Sequence, residues 1–162
     1  YGPATPQHFA RWLSVPPRWA AALFDSLSNE IEQVAVDGRL MWQIVGDTLV
    51  SLPTSSVRLL PYFDAYAVGS HPREMVFPGR AYERTLARGQ AGNFPVLLVD
   101  GIVAGVWHQR RAGRNLHITV EPFDQLTATQ RRALDDQVAF IGKFLEGIPQ
   151  LTIGTVTAGA HA

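Results

Sequence analysis

Arginine is the residue type whose number and spacing in this chain most directly suggest chemistry. Thirteen of the 14 basic residues are arginines, and 14 acidic residues balance them, so the formal net charge is zero. A guanidinium is planar and binds two phosphate oxygens at once. The arginines therefore predict contacts with a nucleic-acid backbone, although a GC-rich coding bias explains the same composition equally well.

The arginines are unevenly distributed along the chain. Residues 57–118 contain eight arginines against four acidic residues, whereas residues 1–56 and 119–162 each have a net charge of −2. If residues 80–88 form a helix that ends at Gly89, three arginines spaced by four residues form one basic stripe. Three further arginines lie at the tip of a predicted hairpin. The predicted DNA-binding residues are Arg18, Arg39, Arg73, Arg80, Arg84, Arg88, Arg110, Arg111 and Arg114. For each cluster, an ordinary solvated surface is the alternative interpretation.

A polar stretch between two predicted elements is a second candidate site. Asp64, Tyr66 and His71 lie in a segment rich in turn-forming residues, where ligand sites often occur. An aspartate near a histidine supports general acid–base chemistry, because histidine titrates near neutrality. The alternative is that Asp64 caps backbone N–H groups and Tyr66 belongs to the core. We predict a ligand loop here, but no catalytic residue.

Metal and cofactor sites are not indicated by the sequence. His108 and His117 face each other across the predicted hairpin if its loop is Arg111–Arg114, but two imidazoles without a third ligand do not make a metal site. The chain has no cysteine, which excludes thiolate metal sites and disulfides. It also has no Gly-rich phosphate loop. The sequence therefore predicts no metal and no cofactor.

The elements that position the first arginines are predicted to form a winged helix-turn-helix. Thr5 and Pro6 have the preferences of a helix cap and a first helical position. Pro16 and Pro17 keep the preceding backbone extended, which forces a corner before a second helix. The Asp-Gly dipeptide at 37–38 then closes a two-stranded ribbon. The exposed face of the second helix offers only Arg18 as a good DNA partner, so DNA contact and simple packing both remain open for it.

The second half of the chain is predicted to be mainly β. A second Asp-Gly dipeptide, at 100–101, closes a hairpin in which the run Val96–Val99 is apolar on both faces and hence central. Thr127 and Gln130 form a capping box for one long amphipathic helix. Its apolar stripe is predicted to consist of Leu134, Val138, Ile141, Phe144 and Leu145. The other predicted strands are Val57–Phe63, Asn115–Val120 and Leu151–Val156, which together leave room for a small antiparallel barrel.

The chain has no sequence feature that indicates a membrane protein. No apolar run approaches the roughly 20 residues of a membrane helix, and the N-terminal residues do not resemble a signal peptide. With the absence of cysteine, this predicts a cytoplasmic protein without membrane contacts. The chain begins at Tyr1 without a methionine, so we expect it to be part of a longer protein.

Several segments spread over nearly the whole chain resemble one protein family. They are Tyr1–Pro6 with Phe9–Leu13, Leu59–Tyr66 with Gly69, and Val99–Trp107. Together they are similar to the bacterial winged-helix DNA-binding-domain family, which includes the DNA glycosylases that unhook interstrand crosslinks and remove bulky alkylated bases. The resemblance implies tandem winged helices followed by a C-terminal β-barrel. This chain would then be the last winged helix and the barrel, with DNA and the N-terminal winged-helix domains of the same protein as partners.

The resemblance does not extend to the catalytic residues. Glycosylases of this family carry a Gln-x-Gln or Gln-x-Asp motif, and none of the nine glutamines here has Gln or Asp two residues later. Either the motif lies upstream of Tyr1 or this member lacks it.

These observations predict an α+β fold in two domains. Residues 1–52 form a winged helix-turn-helix, and residues 57–162 form a small antiparallel β-barrel or sheet with one long amphipathic helix. The predicted function is DNA binding, mostly through the DNA backbone. The alternatives are a DNA-repair glycosylase whose catalytic residues lie upstream and a protein-interaction module.

Overall fold

The computed structural model describes residues 2–48, 55–86 and 89–160, and within these ranges it contains six helices and two sheets. The α+β character predicted from the sequence is confirmed. By its internal contacts the chain divides into two compact units. Unit 1 consists of Tyr1–Leu52 and Ser70–Pro72, and unit 2 consists of Pro53–Gly69 and Arg73–Ala162.

Unit 1 contains two helices and a hairpin in the predicted order. Helices α1 and α2 span Pro6–Leu13 and Pro17–Ser26, and strands β1 and β2 span Ile31–Val36 and Arg39–Ile44. The two helices are separate because Ser14 adopts a left-handed conformation with φ +56°. The predicted cap is confirmed, since the hydroxyl of Thr5 accepts a hydrogen bond from a backbone N–H of the first turn at 3.1 Å.

Ala10, Ala20 and Met41 are buried in unit 1, and aromatic contacts join its helices to its ribbon. Phe24 makes edge contacts with both Phe9 and Trp42, at centroid distances of 5.6 and 6.3 Å. The backbone of Ala4 pairs with that of Trp42 through two hydrogen bonds of 2.9 and 2.8 Å. The segment that precedes α1 is therefore joined to β2, and the ribbon is fixed to the start of the helix pair.

Unit 2 is built on a five-stranded sheet. The strands are β3 (Val57–Leu60), β4 (Val96–Val99), β5 (Ile102–Ala112), β6 (Asn115–Pro122) and β7 (Ile148–Ile153), and they lie in that order across the sheet. All neighbours pair antiparallel except β6 and β7, which pair parallel.

The predicted antiparallel barrel is wrong. The sheet is open, with β3 at one edge and β7 at the other, and it is mixed rather than antiparallel. Its last strand also begins at residue 148 instead of 151. The physical reason is the long helix between β6 and β7, because a helical crossover returns the chain to the same end of the sheet and thus produces a parallel pair.

Helix α6, Ala128–Phe144, covers one face of this sheet. Its predicted capping box is confirmed by hydrogen bonds of 2.9 and 3.2 Å between Thr127 and Gln130. Leu134 and Val138 are buried against the sheet as predicted. Phe144 was wrongly assigned to the buried stripe. It is 74% exposed, and its ring stacks on the exposed ring of Phe140.

Three short helices lie between β3 and β4 in the sequence. They are α3 (Ala65–Gly69), α4 (Arg73–Val76) and α5 (Arg80–Thr85). α3 lies in the turn-rich stretch of the predicted ligand loop, and α5 lies within the helix predicted over residues 80–88. Phe77 and Ala81 from this region pack with residues of β4 and β5 in a second apolar cluster. The helix predicted over residues 80–88 ends earlier, at Thr85, because the next residue is extended. None of the helices in the described ranges combines the length and the apolar character that a bilayer crossing requires.

Candidate nucleic-acid interface

The predicted DNA-binding arginines fall into two groups. In Arg73, Arg80, Arg84 and Arg111 the guanidinium donates hydrogen bonds to oxygen atoms of the chain itself. Arg18, Arg39, Arg110 and Arg114 are exposed. Arg88, the third member of the predicted stripe, lies outside the described residues. The basic stripe on one helix face is therefore not formed by α5, which ends before residue 88.

Arg84 is held by three kinds of contact. Its Nη2 atom lies 3.3 Å from Oε2 of Glu121 and donates a hydrogen bond of 2.9 Å to the carbonyl oxygen of Val156. The guanidinium also lies over the ring of Phe94, with 4.8 Å between its central carbon and the ring centroid. Arg84 therefore joins α5 to β6 and to the segment after β7, within unit 2.

The sequence analysis did not identify Glu121, the acidic partner of Arg84. Burial raises the pKa of its carboxyl, but the hydrogen bonds from Arg84 and from the Val156 N–H, together with the charges of Arg84 and Arg80, outweigh burial and leave the pKa lowered. One signal was present in the sequence. Glu121 continues the polar side of a strand whose other side is Leu116, Ile118 and Val120, and a carboxylate on a covered strand requires a cationic partner.

Arg73 and Arg80 make similar internal contacts. Arg73 donates hydrogen bonds of 2.6 Å to the carbonyl oxygens of Ala67 and Val68, at the end of α3. Arg80 donates one of 3.2 Å to the carbonyl oxygen of Phe123 and lies 5.4 Å from the centroid of that ring. Both guanidinium groups satisfy carbonyl oxygens that the short helices and loops leave without helical partners.

Arg111 fixes the β5–β6 hairpin against the end of α6. Its Nη1 atom donates to the carbonyl oxygen of Leu145 at 2.9 Å, and its Nη2 atom to that of Glu146 at 3.4 Å. These carbonyls carry the negative end of the helix dipole, so a cation is stabilised there. The hairpin is therefore positioned by one of the three arginines near its turn.

The other two arginines of this hairpin face solvent. Arg110 lies on β5, and Arg114 lies in the turn between Ala112 and Asn115. Among the described residues, neither guanidinium has a hydrogen-bond or ion-pair partner, and the same holds for Arg18 at the start of α2. We call residues 110–114 the hairpin tip. The hairpin tip presents the two exposed guanidinium groups of Arg110 and Arg114, and Arg111 fixes its backbone to the end of α6.

The predicted ligand loop is organised by hydrogen bonds to the backbone. Oδ1 of Asp64 accepts from the N–H of Tyr66 at 2.8 Å, and the hydroxyl of Tyr66 donates to the carbonyl oxygen of Gly101 at 2.7 Å. This is the capping role that was the alternative interpretation for Asp64. His71 lies in Ser70–Pro72, which is grouped by its contacts with unit 1, whereas Asp64 and Tyr66 belong to unit 2.

The two strand histidines are on one face of the sheet but are not opposite each other. His108 pairs with Thr119, and His117 pairs with Arg110. The predicted direct pairing was wrong because the turn occupies residues 113–114 rather than 111–114, which shifts the register by two residues. Within the described ranges, no group of three or more His, Cys, Asp or Glu side chains is arranged to hold a metal ion.

Comparisons with known proteins identify one family. The model of the family described as "DNA glycosylase AlkZ-like" matches residues 1–144. The chain is similar to the interstrand DNA cross-link repair glycosylase of Streptomyces sahachiroi, with 26% identity over 96% of this chain and 42% of that protein.

A solved structure gives the same relationship. The DNA glycosylase AlkZ of Streptomyces sahachiroi superposes with a TM-score of 0.74 and 27% identity, over 95% of this chain and 42% of that one. The chain thus spans less than half the length of the relatives it matches. Because the family model covers most of its residues, the chain belongs to the AlkZ-like DNA glycosylase family.

Proposed function

We propose that this chain is the DNA-binding C-terminal part of a DNA-repair glycosylase, and that base excision is performed by residues outside the chain. Family membership supports DNA as the partner, and the relative it matches is named for the repair of interstrand crosslinks. None of the glutamines of this chain forms a Gln-x-Gln or Gln-x-Asp motif, which supports catalytic residues outside the chain. The two domains, residues 1–52 and 57–162, then have separate roles.

The first domain is proposed to be a winged helix-turn-helix. Its support is the order α1, α2, β1, β2 and the pairing of Ala4 with Trp42, which attaches the ribbon to the helix pair. In such modules the second helix enters the major groove. Here α2 presents Arg18 and, on the same exposed side, Asp25, which phosphate repels. We therefore assign to this helix a backbone contact through Arg18, without reading of base edges.

The second domain is proposed to hold the DNA backbone through the hairpin tip. The observation that carries this proposal is that Arg110 and Arg114 are exposed cations without internal partners among the described residues, while Arg111 fixes the hairpin to α6. An exposed cation without an internal partner binds a phosphate without first losing a contact within the protein. Arg73, Arg80 and Arg84 would each have to give up internal hydrogen bonds, so their predicted DNA contacts are less favourable.

Contact with other domains of the same protein is a second proposed role of the first domain. Trp12 and Trp19 are 45% and 49% exposed on α1 and α2. Large exposed apolar side chains that lie on neighbouring elements mark interaction surfaces. We propose the N-terminal winged-helix domains expected from the family resemblance as the partners of these side chains.

Fluorescence anisotropy with a labelled DNA duplex tests the proposal. At low salt we expect the chain to bind the duplex, and Arg114→Gln to weaken binding by roughly threefold to tenfold, because one phosphate contact is lost. Arg132→Gln is the matched control, since Arg132 is an exposed arginine on α6, away from the hairpin tip. Equal losses in both variants would show that only net charge matters and would contradict a specific role of the tip.

A further inference from the structure

A groove lies on the sheet face opposite α6, and its strand side chains take no part in the arginine contacts described above. It is lined by His108 and Arg110 of β5, His117 and Thr119 of β6, Thr152 of β7, and Thr155–Ala158. We call it the threonine groove. Its volume is about 460 Å³, which is within the usual range for ligand sites of about 300–1,000 Å³.

The strand register brings these side chains together. His108 pairs with Thr119, Arg110 pairs with His117, and Thr119 pairs with Thr152, so all five side chains project from the same face of three neighbouring strands. The alternating residues of β6, Leu116, Ile118 and Val120, are buried on the other side, and the latter two pack in the core that α6 covers. The polar character of the groove is therefore a property of one whole face of the sheet edge and not of a single loop.

The wall of the groove is held in place by the Arg84–Glu121 ion pair. The N–H of Val156 donates to Oε2 of Glu121 at 2.8 Å, and its carbonyl oxygen accepts from Arg84 at 2.9 Å. The side chain of Val156 is 5% exposed, so the segment is anchored by packing as well. Thr155 and Thr157 on either side of this anchor are exposed. The groove is thus lined by three paired strands and by a segment that is anchored at Val156.

The chemistry of the lining matches an anion with several oxygen atoms. One guanidinium, two imidazoles and four threonine hydroxyls line the groove, and no carboxylate does. Arginine, histidine and threonine all donate hydrogen bonds to oxygen, and arginine also supplies positive charge. Glu121, the acidic residue that follows on the same face of β6, is already paired with Arg84. A metal ion does not fit this lining, because hard cations are usually held by carboxylates and a zinc site uses at least three protein ligands, whereas the groove offers two imidazoles and no carboxylate.

We propose that the threonine groove binds a phosphate group of a nucleotide, with Arg110 supplying the charge and Thr119, Thr155 and the two histidines supplying directional hydrogen bonds. The phosphate comes either from the DNA backbone or from a free phosphorylated nucleotide. The backbone source rests on the proposed function, because Arg110 lies both in the groove and at the hairpin tip. A duplex that contacts Arg114 then continues along β5 into the groove.

NMR spectroscopy of the histidine rings tests this site in the chain as it stands. Thymidine 5′-monophosphate, thymidine and a short duplex are titrated separately while the ring signals of His108 and His117 are followed. His8 is the internal reference for the monophosphate and thymidine titrations, because it serves as a cap residue in unit 1 and lies outside the groove. We expect the monophosphate and the duplex to shift the His108 and His117 signals and thymidine to leave them unchanged. Equal shifts with thymidine would overturn the proposal, because recognition would then be of the base or sugar.

Threonine variants provide the second readout. We expect Thr119→Val with Thr155→Val to weaken monophosphate binding by fivefold or more, whereas Thr119→Ser with Thr155→Ser, which keeps both hydroxyls, binds as the wild type does. Thr129→Val changes an exposed threonine of α6 outside the groove and is the matched control. If the double valine variant binds both the monophosphate and the duplex with wild-type affinity, the groove is not a phosphate site. The proposed function would remain intact. Shifts with the monophosphate but no duplex binding would support the groove as a site for a free nucleotide and count against the proposed function.

Discussion

At the scale of single residues, the structure shows why a count of arginines does not define a DNA-binding surface. Arg80 and Arg84 are four residues apart on a helix, as the sequence predicted, but their partners are Phe123, Glu121 and Val156. These partners are 37 to 72 residues away in the sequence. No local pattern contains that information, because it depends on how β6 and the segment after β7 pack. The exposed arginines are therefore identified only by the fold.

Glu121 gives a prediction for the dependence of stability on pH. The pKa of its carboxyl is lowered in the folded protein, so the ionised form stabilises the fold above the unfolded-state pKa. This contribution is lost as the pH falls through the lowered folded-state pKa. We expect Glu121→Gln to destabilise the chain near neutral pH, on the order of 2 kcal/mol as for a hydrogen bond to a charged group.

Urea denaturation from pH 7 to pH 3 measures this effect. The difference in the free energy of unfolding between the wild type and Glu121→Gln should become smaller as the pH falls. A difference that stays constant over this range would mean that the carboxylate charge of Glu121 does not stabilise the fold.

At the scale of elements, local signals predicted the starts and turns of most helices and hairpins. Thr5 and Thr127 cap their helices, and both Asp-Gly dipeptides have the positive φ angles that their turns require. These features depend on three or four neighbouring residues, and so the sequence contains them. The pairing of β7 does not depend on neighbours, because it follows from the direction in which α6 crosses the sheet. The open mixed sheet was consequently mistaken for an antiparallel barrel.

The packing of α6 on β7 gives a second prediction. A Cβ atom at Gly142 would lie 2.6 Å from Cγ and 2.7 Å from Cδ of Pro149, which is closer than packed atoms can approach. We expect Gly142→Ala to lower the free energy of unfolding by about 1–3 kcal/mol, because overpacking forces the helix and strand apart. Gly154→Ala is the matched control, since a Cβ there meets no atom within 4 Å. Equal stability of the two variants in urea denaturation would contradict the described packing.

At the scale of the whole molecule, the proposed function predicts that this chain binds DNA without excising bases. None of its glutamines has the spacing of the catalytic motif, and the chain spans 42% of the length of the related glycosylase. We expect this chain to leave an interstrand-crosslinked duplex intact under conditions in which the full-length interstrand DNA cross-link repair glycosylase of Streptomyces sahachiroi repairs it. Base release by this chain at a comparable rate would place catalytic residues within it and contradict the proposal.

The salt dependence of duplex binding tests the central claim most directly, because each neutralised phosphate contributes about −0.9 to the slope of log K against log salt concentration. With Arg110 and Arg114 both bound to phosphates, the wild-type slope should be about −1.8 or steeper. Arg110→Gln with Arg114→Gln should make it shallower by about 1.8, whereas Arg131→Gln with Arg132→Gln, a pair of equal charge on α6, should leave it unchanged. An unchanged slope in the Arg110/Arg114 variant, or no duplex binding by the wild type at low salt, would contradict the account.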